Sequence, residues 1–399
     1  MISKNKNAVL VEWEIEHRSE IVFSSSSGCS AFDKDGKEYL DLTACSGAAP
    51  LGMNSFLFFK YSKGKIEKTS DFLPSPVSVE RHALKEFFLK KYFNHPRSFF
   101  LRTGSCATEA AVRIARRTTG KAIVLVSGFH GWHEIFQQPP WDEKNPCLDN
   151  NIIDFKYDLI LLEKYIFELN GKISSIFITP EPSIFTPDYI RKISEISERN
   201  GIIFIVDEVL CGLRYSSEGY CYKHNIRADI ITIAKGLAHA TAMSAVIGTE
   251  KAMFGADLSY LGNTYLRENK AFALANLTQS FFEEYDVINE LRTKGDRLKR
   301  LFIDCILKHN IPAKVIGDST MFDVVFSDDN LGCNFSKLAM LNGIYIGYPA
   351  TYMSSYAMND DFFDELKIRL NSTLEELSRE LSNEFFEKES IVSYAKKSF

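Results

Sequence analysis

The chain has 399 residues, 45% of them apolar and 25% charged, with a net charge of −5. That length holds one large core and a smaller second one, and the mild negative charge without a basic patch excludes a nucleic-acid surface. The 8 cysteines are scattered with no CxxC pair, which points to free thiols in a reducing compartment. No apolar run approaches the roughly 20 residues of a membrane span. The first residues, MISKNKNAVLVEWE, carry no signal-peptide apolar segment. The expectation is a soluble cytoplasmic protein.

Along the chain, residues 1–60 read as a separate N-terminal segment. Within it AFDKDGKEYLDL (Ala31 to Leu42) predicts a hairpin, because Asp35-Gly36 supplies a tight turn between two alternating runs. The Gly/Pro-punctuated stretch from Ser46 to Asn54 reads as a loop. Helical spacing then covers Pro76 to Tyr92. Ser98 to Leu101 is a short strand, TGSCATE a turn, and Ala107 to Thr118 a helix capped by Gly120. A strand follows at Ala122 to Val126, a helix at Asp158 to Leu169, a strand at Ser175 to Thr179 and a helix at Tyr189 to Asn200. Two β-branched runs come next, Ile202 to Val206 and Ile230 to Ala234, each short enough to be a fully buried strand. Strands alternating with helices predict a mostly parallel, doubly wound α/β sheet across residues 61–285. Residues 286–399 begin helical (Val287 to His309), return to strands over Pro312 to Phe326, and end in an amphipathic helix from Phe362 to Glu387. With the N-terminal segment they make a smaller α+β domain.

The chemistry gathers at strand ends. The run ending at Val206 delivers Asp207, and the run ending at Ala234 delivers Lys235. In parallel sheets ligands bind at the carboxyl edge of the strands, so opposite charges arrive at one rim. TGSCATEA stands between a strand and a helix. Small residues there let the backbone N–H groups of Ser105, Cys106, Ala107 and Thr108 converge on an anion, or the motif is a plain capping box with Glu109 behind it. Neither a P-loop nor a GxGxxG pattern is present, which disfavours a nicotinamide cofactor. Phe129, in GFHGWHE, is an aromatic at a strand tip able to stack on a ring. His130 and His133 form HxxH, with no further ligand cluster for a metal. Glu181, in Glu181-Pro182, adds another carboxylate. An anion cup, a stacking aromatic, a carboxylate and a lysine are the four things pyridoxal phosphate needs: the carboxylate keeps its pyridine nitrogen protonated, and the lysine takes its aldehyde as a Schiff base.

These motifs, taken with IVDEVLCGLR and ADIITIAKG, occur in the order and spacing that resemble the class III aminotransferases of fold type I, closest to the group around glutamate-1-semialdehyde aminomutase. The likeness runs from the hairpin through the C-terminal helix. It implies a Schiff base at Lys235, Asp207 as partner of the pyridine nitrogen, Val209 packing on the ring face opposite Phe129, and His130 and Glu181 beside cofactor and substrate. It implies a phosphate loop at Ser105, Cys106, Ala107 and Thr108, joined by Thr264 from a neighbouring subunit, hence a homodimer with shared sites. The sequence departs from the family pattern at Met53, at Met358, in the stretch Leu237 to Ala245 (no Gly or Pro), and in a short loop after Pro182.

Three readings follow: an aminotransferase passing an amino group from a small-molecule donor to a ketone or aldehyde in a biosynthetic pathway, an intramolecular aminomutase, or a cofactor-binding homologue without turnover. Arg102, Arg214 and Arg267 are the arginines available for a substrate carboxylate.

Overall fold

A computed structural model of the chain describes residues 21–136, 149–262 and 264–383. Cys147 and the end of the expected C-terminal helix lie outside them. The first sheet starts with β1 (Phe23–Ser27), β2 (Ser30–Asp33) and β3 (Glu38–Asp41), the last two forming the expected hairpin. Two helices follow, α1 (Phe56–Ile66) and α2 (Val79–Lys91). The central layer then alternates: β4 (Arg97–Leu101), α3 (Gly104–Thr119), β5 (Ile123–Ser127), β6 (Ile152–Asp154), α4 (Leu159–Glu168), β7 (Ile173–Ile178), α5 (Pro187–Arg199) and β8 (Ile203–Asp207). It continues through the short helices α6 (Gly212–Tyr215) and α7 (Gly219–Lys223), β9 (Ile230–Ile233), β10 (Ser244–Gly248), α8 (Phe254–Asp257) and α9 (Lys270–Glu284). The C-terminal part comprises α10 (Val287–Lys308), β11 (Ala313–Asp318), β12 (Met321–Phe326), α11 (Asp329–Leu341), β13 (Ile344–Tyr345), β14 (Thr351–Met353) and α12 (Asp360–Asn383).

The large sheet has 7 strands in the order β4-β10-β9-β8-β7-β5-β6. Its five strands from β9 to β6 are parallel, as the βα alternation requires. Strand β10 is antiparallel to both its neighbours and joins β4 to the rest. The short run Ser244 to Gly248 lacks turn punctuation and was not expected as a strand. Every residue of β8 and β9 is buried, so each isoleucine there contributes about 1.5–3 kcal/mol of burial.

Two smaller sheets complete the chain. Strand β13 pairs in parallel with β3, so one sheet draws on both chain ends. The other is β11-β12-β14, antiparallel throughout. Strand β12 separates two cores by alternation: Phe322, Val324 and Phe326 pack with Leu298, Phe302 and Leu366, whereas Met321 packs with Val206, Leu213 and Met353. The TGSCATE segment is corrected: the helix begins at Gly104 rather than at Ala107, so most of the motif is helix and not turn.

Candidate active site

Parallel pairing of β8 with β9 puts Asp207 opposite Thr232, and Lys235 follows two residues past the end of β9. Both side chains reach one cavity of about 400 Å³ at the carboxyl edge of the sheet, which Ser105, Thr108, Phe129, His130, Glu181 and Val209 also line.

Asp207 is 3% exposed and firmly held. Its Oδ1 accepts from Thr232 Oγ1 at 2.9 Å and from the Val209 amide at 3.0 Å. His130 Nδ1 lies 3.4 Å from its Oδ2. The imidazole is itself clamped, stacked on Phe177 at 4.1 Å with its carbonyl accepting from Thr108 Oγ1 at 2.6 Å. His130 therefore orients the carboxylate. His133, the other half of HxxH, pairs instead with Glu109, and among the described residues no cluster of three or more His, Cys, Asp or Glu is placed for a metal.

Lys235 starts a short 3₁₀ turn with φ of +36°. A left-handed backbone on a non-glycine residue is strained and persists where its surroundings enforce it. Burial lowers its ammonium from 10.5 to about 8, against the opposing pull of the Asp207 carboxylate. Glu181 moves the other way. Burial first, then the Asp323 and Asp207 carboxylates, push it from 4.5 to about 8.

The anion cup is built from backbone. Thr103 caps α3, its Oγ1 accepting from the Cys106 amide at 3.2 Å and its carbonyl from the Ala107 amide at 3.1 Å. The N–H groups of Gly104 and Ser105 precede these at the positive end of the helix, and both residues line the cavity. Close approach is literal here. A Cβ on Gly104 would lie 2.7 Å from a Val209 methyl, and one on Gly131 would lie 2.3 Å from Ser105 Oγ. Glu109 does not form a capping box; it pairs with Arg113 and His133.

Not every expected residue arrives. Cys106 and Ala107 sit in the same helical turn but do not line the cavity, and Ala107 is fully buried. Thr108 lines it with its hydroxyl committed to His130. Thr264 is exposed, at the start of the turn Thr264–Arg267, and does not line it. Of the arginines, Arg267 is exposed and Arg214 is buried away from the lining, donating to the Ser354 carbonyl at 2.6 Å. Arg102 lines the cavity but is held by Glu268 at 3.0 Å and by the carbonyls of Ala242, Tyr265 and Glu268. Met358 is a core residue packed with Leu40 and Phe362. Sequence reasoning missed Thr179, Thr232, Gly104, Gly131 and the Ala240 to Met243 loop. Only Thr232 left a signal, through its register with Asp207.

The residues fit pyridoxal phosphate: a buried, oriented carboxylate for a protonated ring nitrogen, a lysine of lowered pKa for the aldehyde, an aromatic and a valine on the walls, and a helix N-terminus free of side chains at its first residue. A family model described as class-III aminotransferase matches residues 14–135 and 182–371. The chain is 29% identical over 326 residues to a 2'-deamino-2'-hydroxyneamine transaminase of Streptomyces kanamyceticus, covering 81% of this chain and 83% of that protein. It is 26% identical to a glutamate-1-semialdehyde 2,1-aminomutase of Methanococcus vannielii, over 77% of this chain and 76% of the other. In fold it is similar to the pyridoxal-phosphate internal aldimine form of the Sphingopyxis sp. MTA144 FumI protein, with a TM-score of 0.81, 20% identity and 90% of each chain covered.

Proposed function

The chain belongs to the class III aminotransferases, and on that premise we propose that it moves an amino group from a small-molecule amine to a ketone or aldehyde of a biosynthetic pathway, with Lys235 as the covalent anchor of its cofactor. The observation that carries this reading is the meeting of Asp207 and Lys235 across one cavity from adjacent parallel strands.

When bound, pyridoxal phosphate supplies an electron sink for the carbon that bears the amino group. Asp207, fixed by Thr232, Val209 N–H and His130, holds the proton on the ring nitrogen. Lys235, brought by burial to about 8, is more readily neutral than an exposed lysine; its Nζ would anchor the cofactor and would hold and move the proton at the substrate carbon. Ser105 with the N–H groups of Gly104 and Ser105 would bind the phosphate, while Val209 and Phe129 would flank the ring. Glu181 stands on the substrate side.

Lys235→Ala tests this directly. The cofactor's visible absorbance band, shifted in the wild type by its bond to Lys235, should revert to that of free cofactor, and transamination should fall by about 10³-fold or more. An unchanged band would overturn the assignment.

We also propose a homodimer in which Thr264 completes the phosphate site of the partner. Its exposure supports this, together with the exposed aromatics Phe56, Phe59, Phe72 and Tyr265. A monomer in sedimentation at working concentration would remove that part of the reading.

A further inference from the structure

The alternation of β12 is broken in one place. Its inner face toward the large core reads Met321, Asp323, Val325, and the middle residue is an acid. Asp323 is 4% exposed, and its Oδ1 has no hydrogen-bond partner among the described residues. An acid there forgoes apolar packing and keeps one carboxyl oxygen without a partner among the described residues.

The strand lies against the loop that carries Glu181. A Cβ on Gly317, the residue of β11 paired with Phe322, would lie 2.9 Å from Ser183 Cβ. The Ser183 and Thr351 hydroxyls flank the Asp323 carboxyl. Asp323 thus stands behind Glu181, which lines the cavity. Two ionised carboxyl groups at such a place repel one another, and the Asp323 charge adds to burial, the larger cause, in raising Glu181.

The Lys235 ammonium pulls Glu181 back down only in part. Lys235 and Asp207 are committed to the cofactor under the proposed reading. Arg102 is saturated by Glu268 and three carbonyls except at its Nε. Arg214 is buried, outside the cavity lining. Among the residues that line the cavity no guanidinium fork is free for a substrate carboxylate, since the unpartnered Nε and Nη2 edge belongs to Arg214 outside the lining, whereas Glu181 lines it with Asp323 behind.

We propose that Glu181, backed by Asp323, forms a recognition wall that takes a second ammonium or hydroxyl group of the amine substrate and discriminates against a carboxylate at that position. The inference rests on the aminotransferase reading of this cavity. Glu181 makes the contact. Asp323 is a positioning residue that supplies the second negative charge.

The test uses three probes on one ring skeleton: 1,3-diaminocyclohexane, cyclohexylamine and 3-aminocyclohexanecarboxylate. Their dissociation constants are measured by calorimetry on the cofactor-loaded protein at pH 7.5, and conversion of the cofactor absorbance is followed in parallel. In the wild type the diamine should bind about tenfold or more tightly than the carboxylate, with the monoamine between. Asp323→Asn, which keeps the volume, should shrink that ratio about tenfold, and Glu181→Gln carries the same expectation should the first variant not fold. A wild-type preference for the carboxylate, or a ratio unchanged in a folded variant, overturns the wall. A preserved ratio with no conversion by any amine supports the wall and sinks the aminotransferase reading instead.

Discussion

The two sides of the cavity are built by different means. The side that fits the cofactor is main-chain architecture: a helix N-terminus, two glycines without room for a Cβ, and two charged residues set by the register of adjacent strands. The other part rests on side chains from remote parts of the chain: Glu181, on a loop after β7, lines the cavity, and Asp323, on another sheet, stands behind it. Reaction chemistry here follows from topology, which tolerates little change. Under the proposed reading selectivity follows from single side chains, which can be exchanged without moving a strand.

Substitutions on each side should therefore behave differently. The largest effect is expected from Asp207→Asn. Thr232 and Val209 can still donate to the amide oxygen, but its NH₂ cannot hold a proton on the ring nitrogen. Single-turnover transamination should fall about 10²–10³-fold with the cofactor still bound; a rate near that of the wild type would erase the distinction between the sides. A middle effect is expected from Gly131→Ala. Gly131 has φ of +100° and its new Cβ would press on Ser105, so cofactor affinity in equilibrium dialysis should drop about tenfold. Gly120→Ala, with φ of +67° and nothing within 4 Å, should leave that affinity unchanged. Equal losses would show that strain alone, not the cup, is responsible.

The smallest effect is on stability and sharpens the other side. Between 4.5 and about 8 the folded chain keeps a proton on Glu181 that the unfolded chain has released. Raising pH through that window lowers the stability of the cofactor-free protein. Lys235 has the opposite sign: between about 8 and 10.5 the unfolded chain holds the proton, so stability recovers. Glu181→Gln should flatten the fall in Tm from pH 5 to 8 while sparing the recovery above 8. A fall of the same size in the variant would place its origin elsewhere.

The same contrast explains what the sequence made legible. Asp207 and Lys235 could be read because each closes an apolar run whose burial on both faces fixes its direction. The α3 helix and its Gly120 cap were readable from local spacing and turn chemistry. Strand β10 was not, since a central strand laid antiparallel carries no local mark of its orientation. Nor was Asp323, whose inward aim depends on which face of β12 meets the large core. Cys106 and Ala107 were placed with Ser105 by adjacency, but a helical turn rotates about 100° per residue and carries them away from the cavity. Arg214 looked available because charge suggests exposure; its burial is a fact of packing between α6 and Ser354.

Val209 packs into the space a Cβ on Gly104 would need, its methyl 2.7 Å from where that Cβ would stand. The valine on one wall of the ring slot is thus braced by the backbone of the helix that opens the anion cup, and the slot behaves as a gauge of fixed thickness. Widening or narrowing it by changing Val209 displaces the helix end with it, so a thicker ring and a displaced phosphate would have to be accommodated together. Under the proposed reading that mechanical tie would hold the cofactor's ring and its anchor in one setting, and would leave the Glu181 wall as the place where new substrates are admitted.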